Sequence, residues 1–260
     1  MVGVDFAHAF GLQCRPDTLA LTRSGSVFMK KVAILQSNYI PWKGYFDLIA
    51  SVDEFVLYDE VQFTKNDWRN RNLIKTPRGP NWLSIPVGPD INRQVKDVEL
   101  PAGKWPDKHW LSLKTNYARA PFFKQMAVHF EPIFLGQLPT HLHAFNRLLI
   151  TKVCDILRIP TLITSSEEYR LEGDRNARLA AVCAQSGADV YVSGPSAKTY
   201  LDESVFGNQG IRVEWFDYSG YPVYPQLWGP FEHAVSVLDL LFNCGPEASA
   251  YMLFTQKIVG

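Results

Sequence analysis

Two short apolar runs, Lys31 to Gln36 (KVAILQ) and Glu54 to Tyr58 (EFVLY), flank a segment that contains Pro41 and then a helix-compatible stretch from Tyr45 to Ala50. Proline forces its predecessor out of the helical region, so a helix can start only after Pro41. Strand, loop, short helix and strand in about 30 residues make a βαβ unit, which demands parallel strands and a right-handed crossover. This unit commits the chain to an α/β sheet covered by helices.

The later patterns interrupt that sheet and then resume it. Trp68 to Lys75 and Asn81 to Val87 alternate with period two around the turn Thr76-Pro77-Arg78-Gly79-Pro80, predicting a hairpin that Gln94 to Leu100 extends. Apolar positions three or four apart predict helices over Trp105 to Ala118, Pro121 to Phe134 and His141 to Leu157. Strands follow at Thr161 to Thr164, Asp189 to Val192 and Ile211 to Trp215, with a helix over Ala177 to Ser186, a short helix beyond Ala197, and a last helix over Val235 to Phe242. The expected fold is α/β: a mainly parallel open sheet with a β-hairpin and an inserted helical subdomain at about 103–158. Residues 1–28 read as a leader or N-terminal extension, 29–250 as the α/β domain and 251–260 as a C-terminal tail.

Charge narrows the partners. The 26 Lys and Arg cancel the 26 Asp and Glu, so no global field is available to hold nucleic acid, and a small ligand is expected instead. The four cysteines are far apart and make no zinc-site spacing, and His141 and His143 are wrongly spaced for one helix face, so no metal is expected. No run approaches the ~20 apolar residues of a membrane span. A soluble, cytoplasmic protein without membrane insertion is the expectation.

In open α/β sheets ligands sit beyond the carboxyl ends of the strands, which puts four loops at one edge. The first, Gln36 to Tyr45, offers Gln36, Asn38, Lys43 and Tyr45 around a helix N-terminus, suited to an anion; equally, Ser37 and Asn38 cap the helix while Trp42 and Tyr45 pack inside. The second holds Asp59, a candidate base or amine-orienting group, and then Arg69, Asn70 and Arg71. On one strand Arg69 and Arg71 share a face and can clamp a phosphate, or else pair with Asp59, Glu60 or Asp67. In the third, Ser166 with Glu167 and Glu168 reads as a helix cap. The fourth offers Gly194, where the protein backbone can approach a ligand closely, with Lys198 nearby to supply charge. An aromatic, proline-rich segment from Asp217 to Phe231, with Tyr224 and Gln226, supplies a stacking wall or else a cover for the sheet edge, and His233 after it is a candidate acid–base residue or a structural histidine. The chain has 7 Trp, 11 Tyr and 16 Phe, more than a core of this size needs, and several fall in these loops.

The ordered motifs Ile34-Leu35-Gln36, Pro41-Trp42-x-Gly44-Tyr45-Phe46, Asp53-x-Phe55-Val56-x-x-Asp59-x-Val61-Gln62-Phe63, Trp68-x-Asn70-Arg71-Asn72-x-Ile74-Lys75, Ser193-Gly194, Tyr200-Leu201-Asp202, Tyr224-Pro225-Gln226 and Leu238 through Pro246 resemble the WbqC-like protein family. The likeness runs from about Lys31 to Glu247. It implies bacterial surface-polysaccharide or O-antigen biosynthesis with a nucleotide-sugar or amino-sugar substrate, and it supplies no catalytic residues. A looser architectural likeness is to nucleotidylyl transferases and pantoate ligases, whose two motif histidines correspond here to Trp42 and Tyr45, leaving Lys43, Arg69, Arg71 and Lys198 to take their charge-stabilising part.

The resulting expectation is an enzyme, a transferase or ATP-dependent amide-forming ligase, that binds a nucleotide or nucleotide-linked amino sugar as its small phosphorylated substrate and transfers an acyl or aminoacyl group to an amine. Its cofactor is open, with ATP or another nucleotide as candidates, and so is its oligomeric state. The alternative is a non-catalytic carbohydrate- or partner-binding module using Tyr218 to Phe231 as an exposed contact surface.

Overall fold

A computed structural model describes residues 29–255. The leader, Cys14 and residues 256–260 of the tail lie outside the described residues. Five strands, β1 (Lys31–Leu35), β2 (Glu54–Leu57), β5 (Leu162–Ser165), β6 (Val190–Ser193) and β7 (Arg212–Trp215), form an all-parallel sheet in the order β5-β2-β1-β6-β7. β3 (Arg71–Thr76) and β4 (Gly79–Ser84) form a separate antiparallel hairpin. The expected α/β architecture is therefore the observed one.

Alternation along the strands sends side chains into two cores. Val32, Ile34, Val56 and Tyr191 meet Leu179, Ala180, Val182 and Cys183 of α5 (Arg175–Gln185) and Phe206 of α6 (Glu203–Gly207). Ala33, Phe55, Leu57, Val190 and Val192 belong to the larger core, with α1 (Lys43–Ala50), the inserted helices α2 (Trp105–Tyr117), α3 (Phe123–Leu135) and α4 (Leu142–Leu157), and α7 (Val237–Cys244). All eight residues of α7 are buried, and the helix packs between α3 of the insert and β3 of the hairpin. Met252 is fully buried and the Phe254 N–H donates to Asp47 at 2.8 Å, so residues 251–255 pack onto α1.

Three local expectations are corrected. Gln94 to Leu100 is not a third strand: Val95 and Val98, three apart, are both fully buried, a spacing that a tight 3-10 turn over Val95–Asp97 satisfies and a strand does not. Trp68 to Asn70 precede the strand instead of opening it. Asn66 takes a left-handed φ of 58°, and Asp67 accepts from the Trp68 N–H at 2.7 Å, a turn that consumes these residues before β3 begins at Arg71. The cap after β5 also shifts: Ser165, in a reciprocal capping box with Glu168, holds the place expected of Ser166.

His109 on α2 ties the insert to the first loop. It is 7% exposed, its Nδ1 is 2.8 Å from the Tyr39 hydroxyl and its Nε2 3.2 Å from the Ser84 carbonyl. Burial lowers its pKa from 6.5 to about 4, so the unfolded chain binds the proton first as pH falls, and stability drains between about 6.5 and 4. Asp59 and Asp239, whose carboxyls burial raises, push the other way over an overlapping range. The expected result is that His109→Gln flattens the acid limb, closing a wild-type loss of roughly 2–3 kcal/mol as read by urea unfolding at pH 7 and pH 4.5. An unchanged difference between the two pH values would remove His109 as the cause.

Candidate functional site

The chain runs from β1 outward to β2 and β5, then returns to the other side of β1 for β6 and β7. Because the order reverses between β1 and β6, their following loops diverge and leave a crevice at the carboxyl ends of the strands. A cleft of about 1290 Å³ occupies this place, lined by residues 36–45 after β1, 58–69 after β2, 92–97, the start of α5 and 193–200 after β6, with Tyr218. That exceeds the roughly 300–1,000 Å³ of ordinary small-molecule sites.

The first loop is held in an unusual shape. Ile40, a β-branched residue, has φ 38°, a conformation that costs on the order of 1–3 kcal/mol and must be imposed. The buried Asn72 amide imposes it, donating to the Tyr39 and Ile40 carbonyls at 3.1 and 2.9 Å. The Tyr45 hydroxyl donates to the Gln36 carbonyl at 2.9 Å, and Arg69 Nη2 donates to Gln36 Oε1 at 2.9 Å while Nη1 pairs with Asp67 at 3.0 Å. Behind them Asn146 of α4, fully buried, donates to the Arg69 carbonyl at 2.9 Å and reaches Ser37 Oγ at 3.3 Å. The wall is aromatic: the Trp42 ring packs at 5.5 Å from both Tyr218 and Tyr221 and lies across Gly44, where a Cβ would come within 2.2 Å of it. Only glycine fits there.

Of the residues proposed from sequence, Gln36, Asn38, Tyr45, Arg69 and Gly194 come together in the cleft lining. The others lie elsewhere. Asp59, 4% exposed, sits behind the loop and accepts the Ser37 N–H at 2.9 Å; burial raises its carboxyl pKa. Lys43, 2% exposed, donates to the Pro222 carbonyl at 3.1 Å among the rings of Tyr221 and Tyr224, and burial lowers its pKa to about 8. Asn70 is buried on the Ile85 carbonyl at 2.9 Å. Arg71 stacks on Trp82, 4.1 Å from its centroid, so it and Arg69 do not form the single cationic face expected of one strand. Lys198 stands 5.5 Å from the Trp215 ring. Tyr224 and Gln226 converge on buried Asp239 at 2.8 and 2.7 Å. His233 packs on Phe231 at 4.6 Å.

Sequence reasoning passed over Arg93, Arg175 and Arg178, which also line the cleft. The signal was present for two of them: Asp174 is the N-cap of α5, and a helix entered from the carboxyl end of β5 starts at the same sheet edge. Arg175 lies over the Tyr200 ring at 4.6 Å. Among the described residues no cluster of His, Cys, Asp and Glu is arranged to hold a metal ion, and no helix is long and apolar enough to cross a membrane.

The family model described as the WbqC-like protein family matches residues 36–251, a span that contains every lining residue of this cleft except Ile34 and Leu35. The chain belongs to the WbqC-like protein family. It is similar to the uncharacterized protein Rv1507c of Mycobacterium tuberculosis (strain ATCC 25618 / H37Rv), 49% identical over 231 residues that cover 88% of this chain and 100% of the relative. No solved structure matches the chain. The WbqC-like family motifs quoted above fall into two groups in space. Ile34, Leu35, Gln36, Trp42, Tyr45, Ser193 and Gly194 line the cleft, whereas Tyr224 and Gln226 join Asp239 of α7 in a buried hydrogen-bond network.

Proposed function

We propose that this WbqC-like protein is an enzyme of bacterial surface-polysaccharide or related biosynthesis that binds a nucleotide-linked amino sugar in the cleft and transfers an acyl or aminoacyl group to its amine. Family membership suggests the polysaccharide-related context. The observation that carries the rest is the meeting of Arg69, Arg93, Arg175 and Arg178 with the rings of Trp42, Trp68, Tyr200 and Tyr218 in one cleft at the strand-order reversal. Guanidinium groups hold phosphate oxygens in pairs, and aromatic faces hold a base or sugar ring. In the reaction the amine nitrogen attacks the carbonyl carbon of an activated acyl donor. The N–C bond forms as the bond to the donor's phosphate or thiol leaving group breaks, and the proton lost by the amine passes to that departing group. The protein contributes position and charge, with Asp59 acting through Ser37 to fix the first loop.

Two observations support this over an exposed carbohydrate-contact surface. Tyr218 faces the same cleft as the arginines, and Tyr224 is only 6% exposed. The test is a thermal-shift and calorimetry screen of UDP-glucosamine, UDP-glucose and ATP. Arg69→Ala is expected to raise the Kd of the best of them about 10–100-fold with a cooperative melt retained. If none of these compounds at millimolar concentration moves the wild-type Tm, the reading fails.

A further inference from the structure

Trp68 stands at the rim of the cleft, and an exposed aromatic surface continues outward from it. It lines the cleft and is 42% exposed, and its ring centre lies 5.4 Å from that of Trp82 on β4, which is 40% exposed and outside the cleft lining. The Arg71 guanidinium lies over the Trp82 ring, 4.1 Å from its centre, and is also outside the lining. Single exposed apolar side chains are ordinary, but two indoles in contact beside a cleft make a continuous ring surface.

Arg71 is the charge on this surface. Its Nε is shut away from solvent, whereas Nη1 and Nη2 are open to it and, among the described residues, bond to nothing. Arg69, two residues earlier, is spent on Gln36 and Asp67, and Asp67 in turn on Thr64, the Trp68 N–H and Arg69. A sugar ring, whose hydroxyls also need acceptors, fits such a surface poorly. Phosphate oxygens fit the guanidinium, and a heteroaromatic base fits the rings.

Position selects among ligands that combine the two. The anion site lies outside the cleft, whereas an acyl group must reach the amine within it. An acyl-adenylate joins its acyl carbon directly to the phosphate and would hold it outside. Coenzyme A carries a 3′-phosphate on its adenosine and its thioester at the end of a long arm, so the same docking sends the acyl group past Trp68 into the cleft.

We infer that Trp68, Trp82 and Arg71 form the docking surface for the adenosine 3′-phosphate end of a coenzyme A thioester. This rests on the proposed function and deepens it, because it names the leaving group as the coenzyme A thiol, which departs with the proton lost by the amine.

Calorimetry on the full chain compares coenzyme A with dephospho-coenzyme A, which lacks the 3′-phosphate. The wild type is expected to bind coenzyme A about tenfold more tightly than the dephospho form, and to keep that affinity when UDP-glucosamine is saturating. Arg71→Gln brings coenzyme A down to the dephospho level. Trp82→Ala weakens both about tenfold, and Trp82→Phe, which keeps a ring, restores most of the loss. All three variants melt cooperatively and hold UDP-glucosamine within about twofold of the wild-type Kd. Equal wild-type affinity for the two coenzymes, no binding of coenzyme A at millimolar concentration, its displacement by UDP-glucosamine, or variants that bind as the wild type does each overturn the inference, and the proposed function then stands or falls on its own screen. If coenzyme A binds with these dependences and no sugar nucleotide binds, the docking surface is upheld and the proposed function has failed.

Discussion

Asp239→Ala is expected to cost about 3–5 kcal/mol of unfolding free energy, the largest single-residue loss outside the apolar core. Asp239 on α7 is fully buried and accepts from the Tyr117 and Tyr224 hydroxyls at 2.8 Å each, from Gln226 Nε2 at 2.7 Å and from Asn243 Nδ2 at 3.3 Å. Burial raises its carboxyl pKa, and the Gln226, Tyr117 and Tyr224 donors with the nearby Lys75 charge pull it back. Truncation strands the Tyr117 and Tyr224 hydroxyls in the interior at once, while Asn243 Nδ2 and Gln226 Nε2 fall back on the main-chain carbonyls of residues 239 and 232. Gln226 extends the damage, because its Oε1 holds the Glu232 N–H at 2.9 Å and Lys75 Nζ, which fastens the aromatic segment to β3. Asp239→Asn keeps one acceptor but turns its own hydrogens on donors, and a loss of about half as much is expected. Urea unfolding of both variants checks this. A loss below about 1 kcal/mol for the alanine would mean the network carries little of the fold's stability.

The second large effect joins stability to binding. Asn146→Leu preserves volume but strands the Arg69 and Ser37 carbonyls in the interior, with about 2–3 kcal/mol of destabilisation expected. Because Asn146 comes from the helical insert and grips both cleft loops, the same change frees the backbone under Arg69. A Kd for UDP-glucosamine raised about tenfold or more per folded molecule is therefore expected, measured by calorimetry at a temperature where the variant is fully folded. Lower stability with unchanged affinity would show that the insert is scaffolding only.

Much of the fold was legible because its signals are local. The βαβ unit follows from two apolar runs and one proline, and the three inserted helices follow from spacing alone. The hairpin entrance was misread because Trp68 to Lys75 alternates perfectly well as a strand, and nothing in that alternation reveals that the Asp67 side chain spends Trp68 to Asn70 on a turn. That single error placed Arg69 and Arg71 on one face. Lys43 was equally deceptive: a lysine at the start of a helix facing the ligand edge reads as an anion site, yet its long side chain folds back among Tyr221, Tyr224 and the Pro222 carbonyl, contacts made by residues far along the chain. The aromatic excess divides in the same way. Trp42, Tyr45, Trp68 and Tyr218 do line the cleft, while Trp105, Trp110, Phe123, Phe130, Phe134 and Phe145 of the insert fill its part of the larger core.

The reversal of strand order has a consequence for synthesis on the ribosome. β1 is the central strand, and one of its edges takes β2 soon after it emerges, but the other waits for Val190 to Val192, most of the chain later. Until then a growing chain exposes the open flank of an apolar strand, a template for association with other chains. The cleft lies between these same two strands, so no nascent or truncated chain that stops before β6 contains it, and a formed cleft reports that synthesis has passed the point where β1 is sealed.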